Sequence, residues 1–240
     1  MKINNKKIII SSFVFFIILL LIISIIIFNS LTKKPDLEID EEKIYYEIEY
    51  FDLHFFNMIN LLNNMEQSND FYINWSELEN NTQILTNYWN SVILDFNYLD
   101  IDKNHITSFG KNLDTLYISV KNKDKDNTLN NIITLYKGLI SYSETLNNYY
   151  NNTILNIKYN LLNAYSIVEK NNWTLTYEYI VKASENMSNL VNSMENNKYN
   201  QYNINQAYIA TKELENIINV KDIDLFYLKY NIVMKKLKQL

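Results

Sequence analysis

The chain has 240 residues, no cysteine, 27 acids and 22 basic residues, every one of them lysine. Without cysteine there is no disulfide framework, no thiol nucleophile and no lipid-bearing cysteine. Without arginine, and with a net charge of −5, the chain is poorly suited to phosphate or nucleic acid, which favour the guanidinium fork.

Residues Ile8–Phe28 read IIISSFVFFIILLLIISIIIF, with no charge among them. A bilayer core of about 30 Å needs about 20 such residues in a helix, so residues 8–28 are predicted to be a transmembrane anchor in contact with the lipid bilayer. The run exceeds the roughly 7–15 apolar residues of a signal peptide, and no small-x-small site follows it, so the anchor is read as uncleaved. Lys2, Lys6 and Lys7 precede it, whereas Lys33 and Lys34 are soon followed by Asp36, Glu38, Asp40, Glu41 and Glu42. Retention of positive charge inside predicts a short cytoplasmic tail at residues 1–7, a juxtamembrane linker at 29–41, and an extracytoplasmic C-terminal domain at the cell membrane. Five lysines and no acid lie in the first 34 residues, so residues 35–240 hold 17 lysines against 27 acids, a net charge of −10.

Beyond Pro35, the sole proline, the chain carries only two glycines, Gly110 and Gly138. So few breakers among Leu, Ile, Lys, Glu and Asn predict an all-α fold. The acids from Asp36 to Glu42 suit a helix's first turn, where they complement its dipole. Apolar residues then fall at steps of three and four: Ile44, Ile48, Phe51, Phe55, Met58, Leu62 and Met65; then Trp75, Leu78, Leu85, Trp89, Val92, Phe96 and Leu99, with Thr82 in the one polar place. A third stripe is Ile106, Phe109, Leu113, Leu116 and Val120, and a fourth Leu129, Ile132, Tyr136, Leu139, Leu146 and Tyr150. This is the seam pattern of antiparallel bundles. Polar clusters at 66–72, 98–104 and 121–127 supply the turns.

The second half repeats the first. A shift of 98 maps Trp75 to Trp173, Ile106 to Ile204, Leu116 to Leu214 and Leu139 to Leu237, and Lys123-Asp124-Lys125-Asp126 to Lys221-Asp222-Ile223-Asp224. The stripe Trp173, Thr176, Ile180, Ala183, Met187, Leu190 and Met194 follows the second helix position by position. Asn60-Leu61-Leu62-Asn63 recurs as Asn160-Leu161-Leu162-Asn163, two residues further on. An internal duplication is therefore expected, as two tandem antiparallel four-helix units at residues 42–150 and 153–240. The fourth and fifth helices, parted only by Asn151 and Asn152, could run on as one.

Chemistry-bearing motifs are sparse. Asp100-x-Asp102-x-Asn104 opens like a calcium loop, but His105 and Lys111 stand where Gly and Glu are required. Asp124-x-Asp126 and Asp222-x-Asp224 fail the same test at Leu135 and Val233, so all three are read as capped helix starts. Neither histidine lies in a zinc or di-iron pattern: His54 is expected half-buried and hydrogen-bonded among Phe51, Phe55 and Phe56, and His105 paired or capping near Asp102. No nucleophile elbow, phosphate loop or dinucleotide fingerprint occurs. No catalytic, cofactor-binding or metal residue is assigned, no cofactor is expected, and the chain is not expected to be an enzyme. Trp75, Trp89 and Trp173 are placed in the bundle, the first and last just after a capping Asn. Tyrosines such as Tyr45, Tyr46, Tyr149, Tyr150, Tyr177 and Tyr179 exceed what one seam buries, and half-buried positions set by AT-rich codon usage account for them more simply than a binding surface.

The segment from Asn74-Trp75 to Trp89 and the turn Lys123-Asp124-Lys125-Asp126, behind a membrane anchor, resemble uncharacterised single-pass, membrane-anchored helical proteins of clostridia and related low-GC Gram-positive bacteria. The second half departs from the pattern with Met187 in place of Trp89. The resemblance implies an anchored helical protein and carries no activity. The expectation is a non-enzymatic, membrane-tethered bundle that serves as a protein-interaction or scaffold module at the cell envelope, with an unidentified envelope protein as partner and no nucleic acid. The alternative is an extracytoplasmic ligand-binding sensor module that works with a separate signalling partner.

Overall fold

Side-chain caps set where the helices begin. The computed structural model of the protein describes Ser24 and residues 40–63, 73–99, 101–146, 149–193 and 198–240. Apart from Ser24, the apolar run Ile8–Phe28 lies outside the described residues, as do residues 1–7, 29–39, Met65, Asp100 and Met194. Among the described residues no helix is long and apolar enough to cross a membrane. The chain divides into Met1–Ile39 and Asp40–Leu240, and the second unit is the helical body.

Asp40 Oδ1 accepts from the Lys43 amide at 2.9 Å and opens α1, Glu41–Asn63. Asn74 does the same through Glu77 N for α2, Trp75–Phe96, and Asp102 through Asn104 N for α3, Lys103–Lys121. Asp124 caps α4, Lys125–Thr145, and α5 follows at Tyr149–Val168. Asn172 accepts from Leu175 N at 3.2 Å to start α6, Trp173–Ser193. After α7, Lys198–Ile217, a 3₁₀ turn at Ile218–Val220 leads to Asp222, the cap of α8, Ile223–Leu237. Each cap satisfies an otherwise orphaned helix N–H and contributes about 1 kcal/mol. Asp102, Asp124 and Asp222 thus spend their carboxylates on backbone amides. Every regular element among the described residues is helical.

The helices bury the faces that the spacing predicts. Every stripe residue of α1 to α3 within the described residues is buried except Trp75, which is half-buried. Each set of four helices closes on itself: α1 packs on α2 and α4 with α3 between them, and α5 packs on α6 and α8 with α7 between them. The sets are joined by α4 and α5, which form an antiparallel hairpin rather than one continuous helix. Lys125 at the start of α4 pairs with Glu169 just beyond the end of α5, Nζ to Oε1 2.9 Å. Because α4 packs against helices on two sides, its buried face is wider than one stripe and takes in Ile133, Leu135, Ile140 and Tyr142.

Positions 98 apart also share backbone geometry. Lys123 and Lys221 are both left-handed, with φ of 57° and 56°. Each precedes a capping Asp in extended conformation, Asp124 at φ −95°, ψ 98° and Asp222 at φ −103°, ψ 117°. A left-handed residue after a helix end lets the chain reverse within a few residues.

The glycines matter only in the first half, where aromatic rings meet helix backbones. A Cβ on Gly138 of α4 would lie 2.7 Å from Phe109 Cδ2, and one on Gly110 of α3 would lie 3.0 Å from Trp89 Nε1. Phe109 in turn sits 4.7 Å from Trp89 and 5.4 Å from Phe51, ring centroid to centroid. In the second half the corresponding residues are Ala207 and Met187, so no ring presses on the backbone. Gly138→Ala should destabilise the protein by about 1–3 kcal/mol through overpacking, despite a helix-propensity gain of about 1 kcal/mol. Gly110→Ala should cost less. Urea unfolding of both variants checks this, and equal or stabilising effects would show that Phe109 moves freely.

Candidate functional site

One buried ion pair lies where the two helical sets meet. Asp52 of α1, Tyr136 of α4 and Lys158 of α5 form one cluster: Lys158 Nζ lies 2.5 Å from Asp52 Oδ2, and the Tyr136 hydroxyl donates to Asp52 Oδ1 at 2.8 Å. The Lys158 side chain is only 7% exposed and that of Asp52 18%. Burial, followed by the negative charge of Asp52, holds the Tyr136 hydroxyl well above its ordinary pKa. Tyr230 of α8 lies close by, also buried, and its hydroxyl has no hydrogen-bond partner among the described residues.

Two cavities open along this seam, where α1 faces α8. The larger, about 630 Å³, is walled by α1, α2 and α8. Its lining is rich in carboxamides, from Asn57, Asn60, Asn63, Asn81 and Asn231, with Glu77 on the α2 side, Lys235 on α8 and Lys238 just past its end. The smaller, about 290 Å³, lies between α1, α5 and α8 and is mostly apolar, with Asp52 and Lys158 in its wall. Phe56 and Lys238 border both. The Phe56 ring lies between two ammonium groups, Lys158 at 5.9 Å and Lys238 at 5.7 Å from its centroid.

A second buried charge sits near the start of α1. Glu47 is 3% exposed, and neither carboxyl oxygen has a hydrogen-bond partner among the described residues. Lys43 Nζ stands 3.9 Å away, and at 2.8 Å it favours Asp95 instead. Burial first, then the negative charge of Asp95, push the Glu47 carboxyl up to about 7, against the opposing pull of Lys43.

The residues singled out from the sequence take structural places. His54 is half-buried, its Nδ1 3.0 Å from Asn81 Oδ1. His105 is exposed on the first turn of α3, with its amide bonded to the Asp102 carbonyl at 2.8 Å. Trp75 and Trp173 are half-buried at the first positions of their helices, and Trp89 is buried. Tyr45 and Tyr179 are half-buried while Tyr46 and Tyr177 are exposed. Four others, Tyr136, Tyr142, Tyr165 and Tyr230, are among the largest fully buried side chains. No group of three or more His, Asp or Glu among the described residues is placed to hold a metal ion. Sequence reasoning passed over Glu47, Asp52 and Lys158. Two of them had a signal: Glu47 lies three residues after Ile44 and four before Phe51, and Lys158 four after Ile154 and three before Leu161. A charge inside an apolar series marks a buried ion.

Two measurements test these assignments. Glu47 is protonated in both folded and unfolded chains below about pH 4.5. Between there and about pH 7 only the folded chain keeps its proton, so stability falls as pH rises and the loss is complete above that value. Relative to Glu47→Gln, the wild type should lose on the order of 3 kcal/mol across this window, at about 1.4 kcal/mol per pKa unit. A pH-independent difference between the two would refute the assignment. At the seam, Lys158→Met should cost roughly 3–5 kcal/mol by stranding Asp52, and the double change Asp52→Leu with Lys158→Met should recover most of that. Urea unfolding followed by helical circular dichroism reads both.

No family model matches the chain, and neither a curated protein nor a solved structure is similar to it.

Proposed function

We propose that the protein is a single-pass, membrane-tethered helical module that docks an envelope protein, and that it is not an enzyme. The observation that carries this reading is the union, in one chain, of the uncharged run Ile8–Phe28 and an acidic helical body. The run is long enough to span, and the lysines before it favour a cytoplasmic N-terminus. Asp102, Asp124 and Asp222 of the Asp-x-Asp motifs are occupied in capping, and the buried Lys158 in a structural pair. A tandem duplication of a four-helix unit is supported by the shared turn geometry at Lys123 and Lys221 and by the closure of α1–α4 and α5–α8. Such a doubling extends a docking surface without adding chemistry.

The alternative, a ligand-binding sensor module, is favoured by the cavity of about 630 Å³, within the roughly 300–1,000 Å³ of ordinary ligand sites. The two readings differ in what they capture. In intact cells that make the full chain, carbonate washing should leave it in the membrane fraction. Protease added outside should remove the helical body, and crosslinking should recover one distinct envelope protein. Recovery of only the chain itself and lipid would overturn the docking role, and release by carbonate would overturn the tether.

A further inference from the structure

The larger seam cavity has the chemistry of a peptide end. We propose that it binds the C-terminal segment of a peptide, with the free carboxylate at Lys235 and Lys238 and the main-chain amides among the asparagines. This deepens the interaction reading above and rests on it for the idea that a polypeptide docks here.

Three features carry the assignment. First, a carboxamide offers a donor and an acceptor side by side, the same pair that a peptide group presents. Asn57, Asn60 and Asn63 set such groups at intervals of three along α1, so they share one face of that helix, while the Asn81 carboxamide across on α2 is already committed to His54 and to the Glu77 carbonyl. Second, Asn63 is 6% exposed and its Oδ1 has no hydrogen-bond partner among the described residues, although the side chain lines the cavity. A buried acceptor left unpaired costs about 1–3 kcal/mol. A ligand N–H in the cavity would complete it. Third, the cavity is bipolar. Lys235 on α8 and Lys238 just past its end are exposed, one turn apart, while Glu77 stands on α2. Two ammonium groups suit a carboxylate, and a carboxylate on the far wall suits N–H donors. The apolar Phe56, Leu61 and Met234 supply contact for small side chains. A volume of about 630 Å³ holds several residues.

The peptide end has two sources, a short free peptide or the C-terminus of a partner protein. Purified full-length protein in detergent micelles is titrated by calorimetry with tetra-alanine, its N-acetyl form, its C-terminal amide and di-N-acetylchitobiose. Tetra-alanine should bind, and the C-terminal amide should bind about tenfold more weakly or worse, the loss expected for one charge-assisted contact. Unchanged binding of the N-acetyl form assigns the site to protein C-termini, and its loss assigns it to free peptides through Glu77. The double variant Lys235→Gln with Lys238→Gln removes only exposed charges, and it should weaken tetra-alanine to the level of the amide. Asn63→Ser should weaken every peptide equally, with circular dichroism confirming the fold. No binding of tetra-alanine at millimolar concentration, equal binding of its amide, or stronger binding of the disaccharide would each overturn the proposal. Membrane fractionation and cellular crosslinking read the tether and the partner independently, so failure of the cavity assignment leaves those results standing.

Discussion

A buried lysine facing a carboxylate orients one half of this protein against the other. Lys158 belongs to α5 and Asp52 to α1, 106 positions earlier in the chain. Moving two charges out of water costs several kcal/mol each, and their attraction repays this only in good geometry with the remaining lone pairs satisfied. Here the Tyr136 hydroxyl from α4 supplies the extra hydrogen bond. Sliding α5 along α1 by one turn would separate the pair by about 5.4 Å and strand both charges. An apolar seam alone would tolerate such slippage more readily, so the cluster is best understood as setting register.

Register at the seam in turn shapes the cavities. In the ring formed by α1, α4, α5 and α8, three sides are closely packed: α1 with α4, α4 with α5, and α5 with α8. The fourth side, where α1 faces α8, carries both cavities. Phe56 and Lys238 stand between them, with the lysine ammonium over the ring. Long lysine side chains cover apolar surface in this way while keeping the charged end in water. The seam is therefore mixed in character, neither a sealed core nor an open surface.

The two sets of four helices have different interiors. The first is an aromatic core in which Trp89, Phe96, Phe109 and Tyr142 pack at tilted angles, made possible by backbone approach at Gly110 and Gly138. The second gathers Tyr165, Phe226, Tyr227 and Tyr230 at the seam side and fills its other layers with Ala183, Met187 and Ala207. Close packing requires only that volumes sum correctly, so compensated large-to-small exchanges keep the helix positions while changing the residues.

Much of the fold was legible in the residues themselves. Spacing of three and four places Ile44, Phe51, Leu85 and Leu116 in the core because a helix has only one face to bury. Asn and Asp before each stripe announce the caps because a helix's first amides need acceptors. These are local effects, set by neighbours within a turn or two. What lay between the stripes was not legible. Tyr142, Tyr165 and Tyr230 are buried because α4, α5 and α8 have partners on more than one side, and that follows from how separate helices meet. The proton held by Glu47 depends on Asp95, 48 positions away, and on exclusion of water by the helices around it. The Asp52–Lys158 contact and the seam cavities likewise exist only once distant segments dock. The sequence alone determined the helices, their caps and their buried faces, because those depend on hydrogen bonds and periodicity within one segment. Only the tertiary structure decided which charges became buried and which gap stayed open, because electrostatics and cavity shape depend on everything packed around a group.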